Sequence, residues 1–319
     1  MMDLSIVVCT YHRHTLLAQL LASIQAQAPH DELRCDVIVV DNSDEGSALA
    51  VVTAAEGPFP VRWIGAHPAN ISVARNAGVS ACASEWIAFV DDDQRLEPGW
   101  LRAAAKALRL TTHDGFFGAV DPDFEESARP SPRAVALYSR RAELQDGADL
   151  YAMGPRKTRG LALATNNCIL RSAALSPAQA PFDLSFGSGG GEDYDLFCRM
   201  QARGARFAWV PDLRAREFVP AQRCEPQYLR RRFFAGGQAY ASAAARSSAR
   251  PALARWSVRA KAVVQAAVLA SLYPARAFQG EAARADHSFA LAGALGKLSF
   301  GPIHPLYRVF DQKAASQHR

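Results

Sequence analysis

Three consecutive carboxylates, Asp91-Asp92-Asp93, close the apolar run Trp86-Ile87-Ala88-Phe89-Val90. Like charges repel one another, and burial at a strand end sharpens the conflict. A divalent cation relieves it, because Mg2+ and Mn2+ take hard oxygen ligands, typically one or two carboxylates completed by substrate phosphates. Along an extended segment alternate residues point the same way, which predicts a common target for Asp91 and Asp93. A second acidic pair, Glu192-Asp193, follows Gly187-Ser188-Gly189-Gly190-Gly191. Glycine lets backbone approach a ligand, and a carboxylate beside such a loop can act as general base toward a hydroxyl. Acids in a first helical turn are equally ordinary partners of the helix dipole. Thr10-Tyr11, Asp41 and Arg75-Asn76 complete the set of polar groups near strand ends.

The elements that must position these groups alternate. Leu4–Thr10 is a short, nearly unbroken apolar run that predicts a strand covered on both faces, Asp36–Val40 predicts a second buried strand, and Val61–Ile64, Trp86–Val90 and Phe116–Val120 predict three more. Between them, 14–28, 47–55, 71–81 and 99–109 have helical periodicity, with Leu17, Leu20, Leu21 and Ile24 on one face of the first. This rhythm predicts an α/β fold with a mostly parallel sheet flanked by helices, and such sheets bind ligands at the carboxyl ends of their strands. Pro122, Pro130, Pro132 and Pro155 interrupt the pattern over 121–159, where one short helix around 134–144 is expected. Order is expected again at 161–170, in a helix from Glu192 to about Arg203, and in a strand at 207–210. Beyond Pro226 the chain reads as helical throughout.

Of 319 residues, 36 are Lys or Arg and 31 Asp or Glu, a net charge of +5 that hides an asymmetry. Residues 1–202 carry −8 and residues 203–319 carry +13; a basic segment invites an anionic partner. No apolar stretch is long enough to span a bilayer. The opening residues, with Asp3 before the apolar run, do not read as a secretory signal. Six scattered cysteines without a CxxC pair support neither a zinc site nor a disulfide framework and suit a reducing cytoplasm. GSGGGE departs from GxGxxG because Glu192 stands where the third glycine would be, and no Walker loop, GxSxG elbow or HExxH is present.

In order along residues 4–225, SIVVCTYHR, VIVVDNS, ISVARNAGVSA, WIAFVDDDQRLEPGWL and GGGEDYDLFCRM resemble the motifs of family-two glycosyltransferases, which have the GT-A fold. RFAWVPDLRAREFVPAQR and LRRRFFAGGQ resemble a bacterial subgroup related to succinoglycan-type exopolysaccharide glycosyltransferases. The resemblance implies a catalytic domain over 1–225, a basic helical extension over 226–319, and transfer of a sugar from a nucleotide-diphosphate donor to a glycan or lipid-linked acceptor with inversion. It implies that Thr10, Tyr11, Asp41, Arg75, Asp91 and Asp92 form the donor side, Asp41 on the base or ribose and Arg75 near the diphosphate. Asp91 and Asp93 correspond to a DxD pair, with Asp93 the direct ligand of Mn2+ or Mg2+. Asp193 corresponds to the catalytic base and Glu192, beside it in the catalytic pair, supports the acceptor site, while Asn166, Asn167, Gly190 and Gly191 fall on the acceptor side. For Asn166 and Asn167 a plain strand-end turn is an equal alternative. Some relatives bring a late histidine to the metal; here the segment reads Arg216-Glu217-Phe218-Val219-Pro220, leaving Glu217 or water for that place. Gln227-Tyr228-Leu229-Arg230-Arg231 lacks the tryptophan of the processive QxxRW motif, which predicts addition of one sugar.

In the extension, Arg230-Arg231-Arg232 precedes Phe233-Phe234, and Ala262–Tyr273 is apolar with Arg259, Lys261 and Arg276 around it. An amphipathic helix on an anionic membrane surface is expected, which makes the enzyme peripheral on the inner face of the cell membrane. A helical pair packed on the catalytic domain or in an oligomer is the other reading. Nucleic acid is not expected, since alanines rather than aromatics lie between the basic residues. A nucleotidyltransferase acting on sugar phosphates and a non-catalytic sugar-nucleotide-binding scaffold remain alternatives. The first would need a glycine-rich loop near the first strand, which CTYHRHT lacks; the second predicts loss of the carboxylates, which are present.

Overall fold

The computed structural model describes residues 1–110, 112–175 and 180–306. The chain packs as two compact units: one holds Met1–Asp123, Leu137–Phe182 and Arg203–Val219, the other Phe124–Ala136, Asp183–Ala202 and the chain from Pro220 onward. Residues 124–136 and 183–202, which precede the boundary expected at 225/226, thus group with the C-terminal helices. Residues 307–319 of the expected extension lie outside the described residues.

The first unit is built on a mixed sheet with strands β1 (Met2–Thr10), β2 (Leu33–Asp41), β3 (Val61–Gly65), β4 (Trp86–Phe89), β5 (Gln94–Leu96), β6 (Gly115–Phe124), β7 (Asp149–Leu150), β8 (Cys168–Arg171) and β9 (Phe207–Val219). Their order is β3-β2-β1-β4-β8-β6-β9-β5, with β7 beside β9. β1 pairs in parallel with β2 and β4, and β2 with β3, whereas β4–β8, β6–β8, β5–β9 and β7–β9 are antiparallel. Register aligns Thr10 with Asp41 and Asp41 with Gly65, so the carboxyl ends of three strands form one edge.

Helices α1 (His14–Gln25), α2 (Leu49–Thr53), α3 (Ile71–Ala81) and α4 (Trp100–Leu108) cross between these strands. α1 buries Leu17, Leu20, Leu21 and Ile24, the face expected from their spacing. α3 starts where Asn70 Oδ1 accepts from the N–H groups of Ser72 at 2.9 Å and Val73 at 3.3 Å, using donors a helix start otherwise leaves open. These helices and strands enclose a core that includes Trp86, Trp100, Leu101, Phe116 and Ile169.

Several boundaries differ from expectation. The short helix α5 spans Pro132–Tyr138 and stops before 144. Of 161–170, only Cys168 onward is strand; the residues before it form a loop. β5 and β7 have three and two residues, too few for any period to show. β9 continues well past Val210, because Leu213, Ala215 and Glu217 alternate inward with outward-facing Asp212, Arg214 and Arg216 beyond Pro211.

The second unit contains α6 (Glu192–Ala202), α7 (Pro226–Arg246), α8 (Pro251–Ala277) and α9 (Glu281–Leu298). α7 and α9 cross closely because both are glycine where they meet: a Cβ on Gly237 would overlap Gly293 O, and one on Gly296 would overlap Phe234 O.

Candidate active site

β4 delivers the acidic triplet to the carboxyl edge of the sheet, but the chain does not stay extended there. Gln94 N donates to Asp91 O at 3.0 Å, closing a turn, and Asp91 N donates to Gln94 Oε1 at 3.2 Å. The turn separates the three side chains. Asp91 is about a third exposed and faces the Arg75 guanidinium at 3.4 Å. Asp92 is buried and accepts from Thr10 Oγ1 at 2.8 Å and Arg13 Nη1 at 2.9 Å. Asp93, also buried, accepts from the same Arg13 Nη1 at 3.2 Å. Burial pushes the Asp92 carboxyl up to about 6; Arg13 opposes this, Asp93 adds to it, and the Thr10 and Arg13 hydrogen bonds oppose it further. The chain turns where an extended segment was expected: Asp92 and Asp93 share Arg13, and Asp91 faces Arg75.

Among the described residues no three His, Cys, Asp or Glu side chains are gathered to hold a metal. The donor set still fits a hard divalent cation of the Mg2+ or Mn2+ type, which keeps water and substrate phosphates as ligands and asks the protein for one or two carboxylates. Glu217 does not complete a protein cage. It stands opposite Gln94 in the β5–β9 register, is buried, and accepts from Asn166 Nδ2 at 3.0 Å.

Arg75 is buried on α3, and its guanidinium lies 5.7 Å from the Phe182 ring centroid. Its neighbour Asn76 is structural: Nδ2 donates to Phe182 O at 2.8 Å and Oδ1 accepts from Phe182 N at 2.9 Å. Tyr11 is 38% exposed at the end of β1, edge-on to His12. Thr10 is buried with its hydroxyl proton given to Asp92, so it holds the acidic turn instead of offering that proton to a nucleoside.

Asp41 is fully buried and saturated. Its Oδ1 accepts from Ser43 N at 3.0 Å and Ser43 Oγ at 2.7 Å; its Oδ2 accepts from Ala48 N at 2.6 Å and Trp63 Nε1 at 3.3 Å. Burial alone would raise this carboxyl, but the backbone donors of Ala48 and Ser43, then the Ser43 hydroxyl and the indole, hold it below the usual carboxylate range. The contact with base or ribose expected of Asp41 is corrected accordingly: four donors fill its acceptor sites, and it fixes the 43–48 turn.

Asn166 and Asn167 separate. Asn166 is buried, and its Oδ1 has no hydrogen-bond partner among the described residues. Asn167 has φ 76° and is spent on the fold: Oδ1 accepts from Trp100 Nε1 at 2.7 Å, and Nδ2 donates to Leu213 O at 2.7 Å and Ala119 O at 3.0 Å. Its amide has no hydrogen left to offer, so the acceptor-side role does not hold for Asn167.

Within the second unit, Gly190 (φ 80°) and Gly191 (φ 95°) bring the loop into α6. A Cβ on Gly191 would overlap that of Ala239 on α7. Glu192 is buried; Asp193 is half-buried, with Oδ1 accepting from Tyr194 N at 2.6 Å. Asp195, fully buried one turn into α6, is clamped by Arg199 Nε at 2.8 Å and Arg246 Nε at 2.9 Å. Arg246 also reaches Asp183 Oδ2 at 2.6 Å. Arg13 and Arg246 had no signal in the sequence: Arg13 finds Asp92 and Asp93, and Arg246 finds Asp183 and Asp195, all remote along the chain.

The family description "Glycosyl transferase family 2" matches residues 5–168. The chain is 32% identical over 241 residues to the succinoglycan biosynthesis protein ExoM of Rhizobium meliloti (strain 1021), covering 75% of this chain and 74% of that one. It is 33% identical over 146 residues to the uncharacterized glycosyltransferase YwdF of Bacillus subtilis (strain 168), covering 46% and 53%. Among solved structures, S. aureus TarS 1-349 superposes with a TM-score of 0.57 at 16% identity, covering 80% of this chain and 68% of that one. Its complex with UDP-GlcNAc gives 0.56 at 16%, covering 80% and 70%. At that identity the likeness is one of fold, and it is the GT-A type.

Proposed function

The chain belongs to glycosyl transferase family 2, and from that premise we propose that it is an inverting, metal-dependent, non-processive glycosyltransferase of surface polysaccharide assembly. The observation that carries this reading is the acidic turn at the carboxyl end of a parallel strand, with Asp91 exposed beside buried Arg75. That arrangement suits a diphosphate, since carboxylate and guanidinium offer a cation site and an anion site side by side. The complex of TarS with UDP-GlcNAc supports a nucleotide-sugar donor.

In this reading Asp91 and Asp93 hold Mg2+ or Mn2+. When bound, the ion neutralises charge that develops on the departing diphosphate. Arg75 binds the same leaving group. Arg13 orients Asp92 and Asp93, and Thr10 fixes the turn. Tyr11 offers an exposed ring on the donor side. Asp193 takes the proton of the acceptor hydroxyl as its oxygen attacks the anomeric carbon from the face opposite the diphosphate. The new glycosidic bond forms while the bond to the diphosphate oxygen breaks, so a single displacement inverts configuration and needs no second nucleophilic carboxylate. Glu192, Gly190, Gly191 and Asn166 shape the acceptor side. The acceptor is a glycan or lipid-linked hydroxyl, met by a peripheral enzyme at the inner face of the cell membrane. Among the described residues no helix is long and apolar enough to cross a membrane, which is compatible with that location.

The test is a panel of sugar nucleotides with Mn2+ or Mg2+, scoring nucleoside diphosphate release by wild type, Asp93→Ala and Asp193→Ala. Release by wild type that both substitutions abolish is expected. Equal background from all three proteins overturns the reading.

A further inference from the structure

Among the described residues, the second unit contains an apolar helix face that its own helices leave open. α8 is 27 residues long, about 40 Å at 1.5 Å per residue. One side packs within the unit: Ala262 is buried, and His287 of α9 contacts Leu269 O at 2.6 Å. The opposite side presents Leu253, Trp256, Val263, Val264 and Val268, between 51% and 64% exposed. Isolated exposed apolar residues are ordinary, but these recur at helical spacing along one face, which single exposures do not explain. Phe278 at 91% and Phe300 at 78% exposure add two uncovered rings in the same unit.

The charges around this face have one sign. α8 holds Arg255, Arg259, Lys261 and Arg276, with Arg250 just before it, and no Asp or Glu. The nearest acids in sequence, Glu281 and Asp286, begin α9 and do not alternate with these basic residues. The Arg259 guanidinium lies 3.6 Å from the Phe300 ring centroid and 5.8 Å from that of Trp256, so a cation sits between two exposed aromatic rings. An exposed aliphatic and aromatic face, with basic residues beside it and no acid on the helix, matches the chemistry of the zone between lipid headgroups and acyl chains.

We infer that the outward face of α8 docks on an anionic phospholipid bilayer. Trp256, Val264 and their neighbours enter the acyl boundary, while Arg255 and Lys261 meet headgroup phosphates. A second copy fits this face less well. An isologous contact would set α8 against itself and bring each basic flank onto another, with no carboxylate on the helix to pair them. This inference rests on the peripheral location proposed above and assigns it to one surface.

The test uses the full chain with vesicles of phosphatidylcholine alone or mixed with phosphatidylglycerol, read by co-sedimentation and by the emission shift of Trp256. Binding to the mixed vesicles at low salt is expected, with little to phosphatidylcholine alone. Arg255→Ala with Lys261→Ala weakens binding roughly tenfold to thirtyfold, because each basic residue near an anionic surface contributes comparably. Val264→Asp abolishes it, Val264→Leu retains it, and both keep the wild-type thermal midpoint because position 264 is exposed. Vesicle binding that survives Val264→Asp, binding indifferent to lipid charge, or a dimer that Val264→Asp dissociates would each overturn the assignment. Sugar-nucleotide turnover is measured on the same preparations. Turnover without vesicle binding removes the docking face alone, and vesicle binding without turnover removes the glycosyltransferase reading alone.

Discussion

Arg13 Nη1 donates to Asp92 Oδ1 at 2.9 Å, and this bond turns the middle carboxylate of the triplet into the protein. Asp92 is buried while the Arg13 side chain is 32% exposed, so removing the arginine strands a buried charge that water reaches poorly. Arg13→Ala should cost about 2–3 kcal/mol, somewhat below the range for a fully buried pair. Arg13→Lys should recover part of this, since a lysine keeps the charge without the guanidinium fork. Urea midpoints of the three proteins decide it, and equal midpoints would remove Arg13 from any account of the turn.

Asp193→Asn should lower sugar transfer about 10²–10⁴-fold, the usual contribution of a positioned general base. Sugar-nucleotide affinity should stay within about twofold, because the base acts on the acceptor hydroxyl. Titration of the donor by calorimetry, beside an initial-rate assay, separates the two. Equal loss of affinity and rate would show that Asp193 serves donor binding.

The parallel half of the sheet was legible chiefly through β1, β2 and β4, which are largely buried, and continuous runs such as Val37–Val40 leave little else to read. The acidic triplet was legible as a site but not as a geometry. Three identical residues give no sign that the chain turns between Asp91 and Gln94 or that Arg13 bridges Asp92 and Asp93. Asp41 shows the same limit: an acid at a strand end reads as a ligand contact until Ser43, Ala48 and Trp63 are seen to fill its acceptor sites. The bond between Arg246 and Asp195 joins residues 51 positions apart, and no local pattern encodes that pairing.

Asp41 makes stability sensitive to acid. Its folded-state carboxyl titrates below the usual value, so its contribution is fully present above about pH 4 and is lost as pH falls through the lowered value. Asp41→Asn should cost about 2–3 kcal/mol at neutral pH, because an amide group turns one donor toward donors already in place. The variant should lose less further stability than wild type below about pH 4. Parallel slopes of unfolding midpoint against pH for the two proteins would exclude this role.

Asn167→Ala removes three side-chain hydrogen bonds and strands Trp100 Nε1 and two backbone carbonyls in the core. A loss of about 3 kcal/mol or more follows, to which the positive φ adds in a residue without the tolerance of asparagine. The rate per folded molecule should be unchanged. Thermal unfolding and active-site-normalised rates are the measurements, and a normal midpoint with depressed rate would return Asn167 to the acceptor side.

Gly191 is required twice over, and the two requirements can be separated. Its φ of 95° is strained for any residue with a Cβ, and a Cβ there would overlap Ala239 Cβ on α7. Gly191 O also accepts from Asp195 N at 2.9 Å, so a shift at this residue moves the first turn of α6, where Glu192 and Asp193 sit. Gly191→Ala should therefore destabilise by about 2–4 kcal/mol, combining overpacking with left-handed strain. Ala239→Gly alone should cost about 1 kcal/mol as a helix-interior glycine. In the double variant the steric part disappears while the strain remains, so the loss should fall short of the sum of the singles by 1 kcal/mol or more, an order-of-magnitude coupling for residues in contact. Urea unfolding of all four proteins closes the cycle. Strict additivity would mean that backbone strain alone explains the glycine and that α7 does not press on the loop.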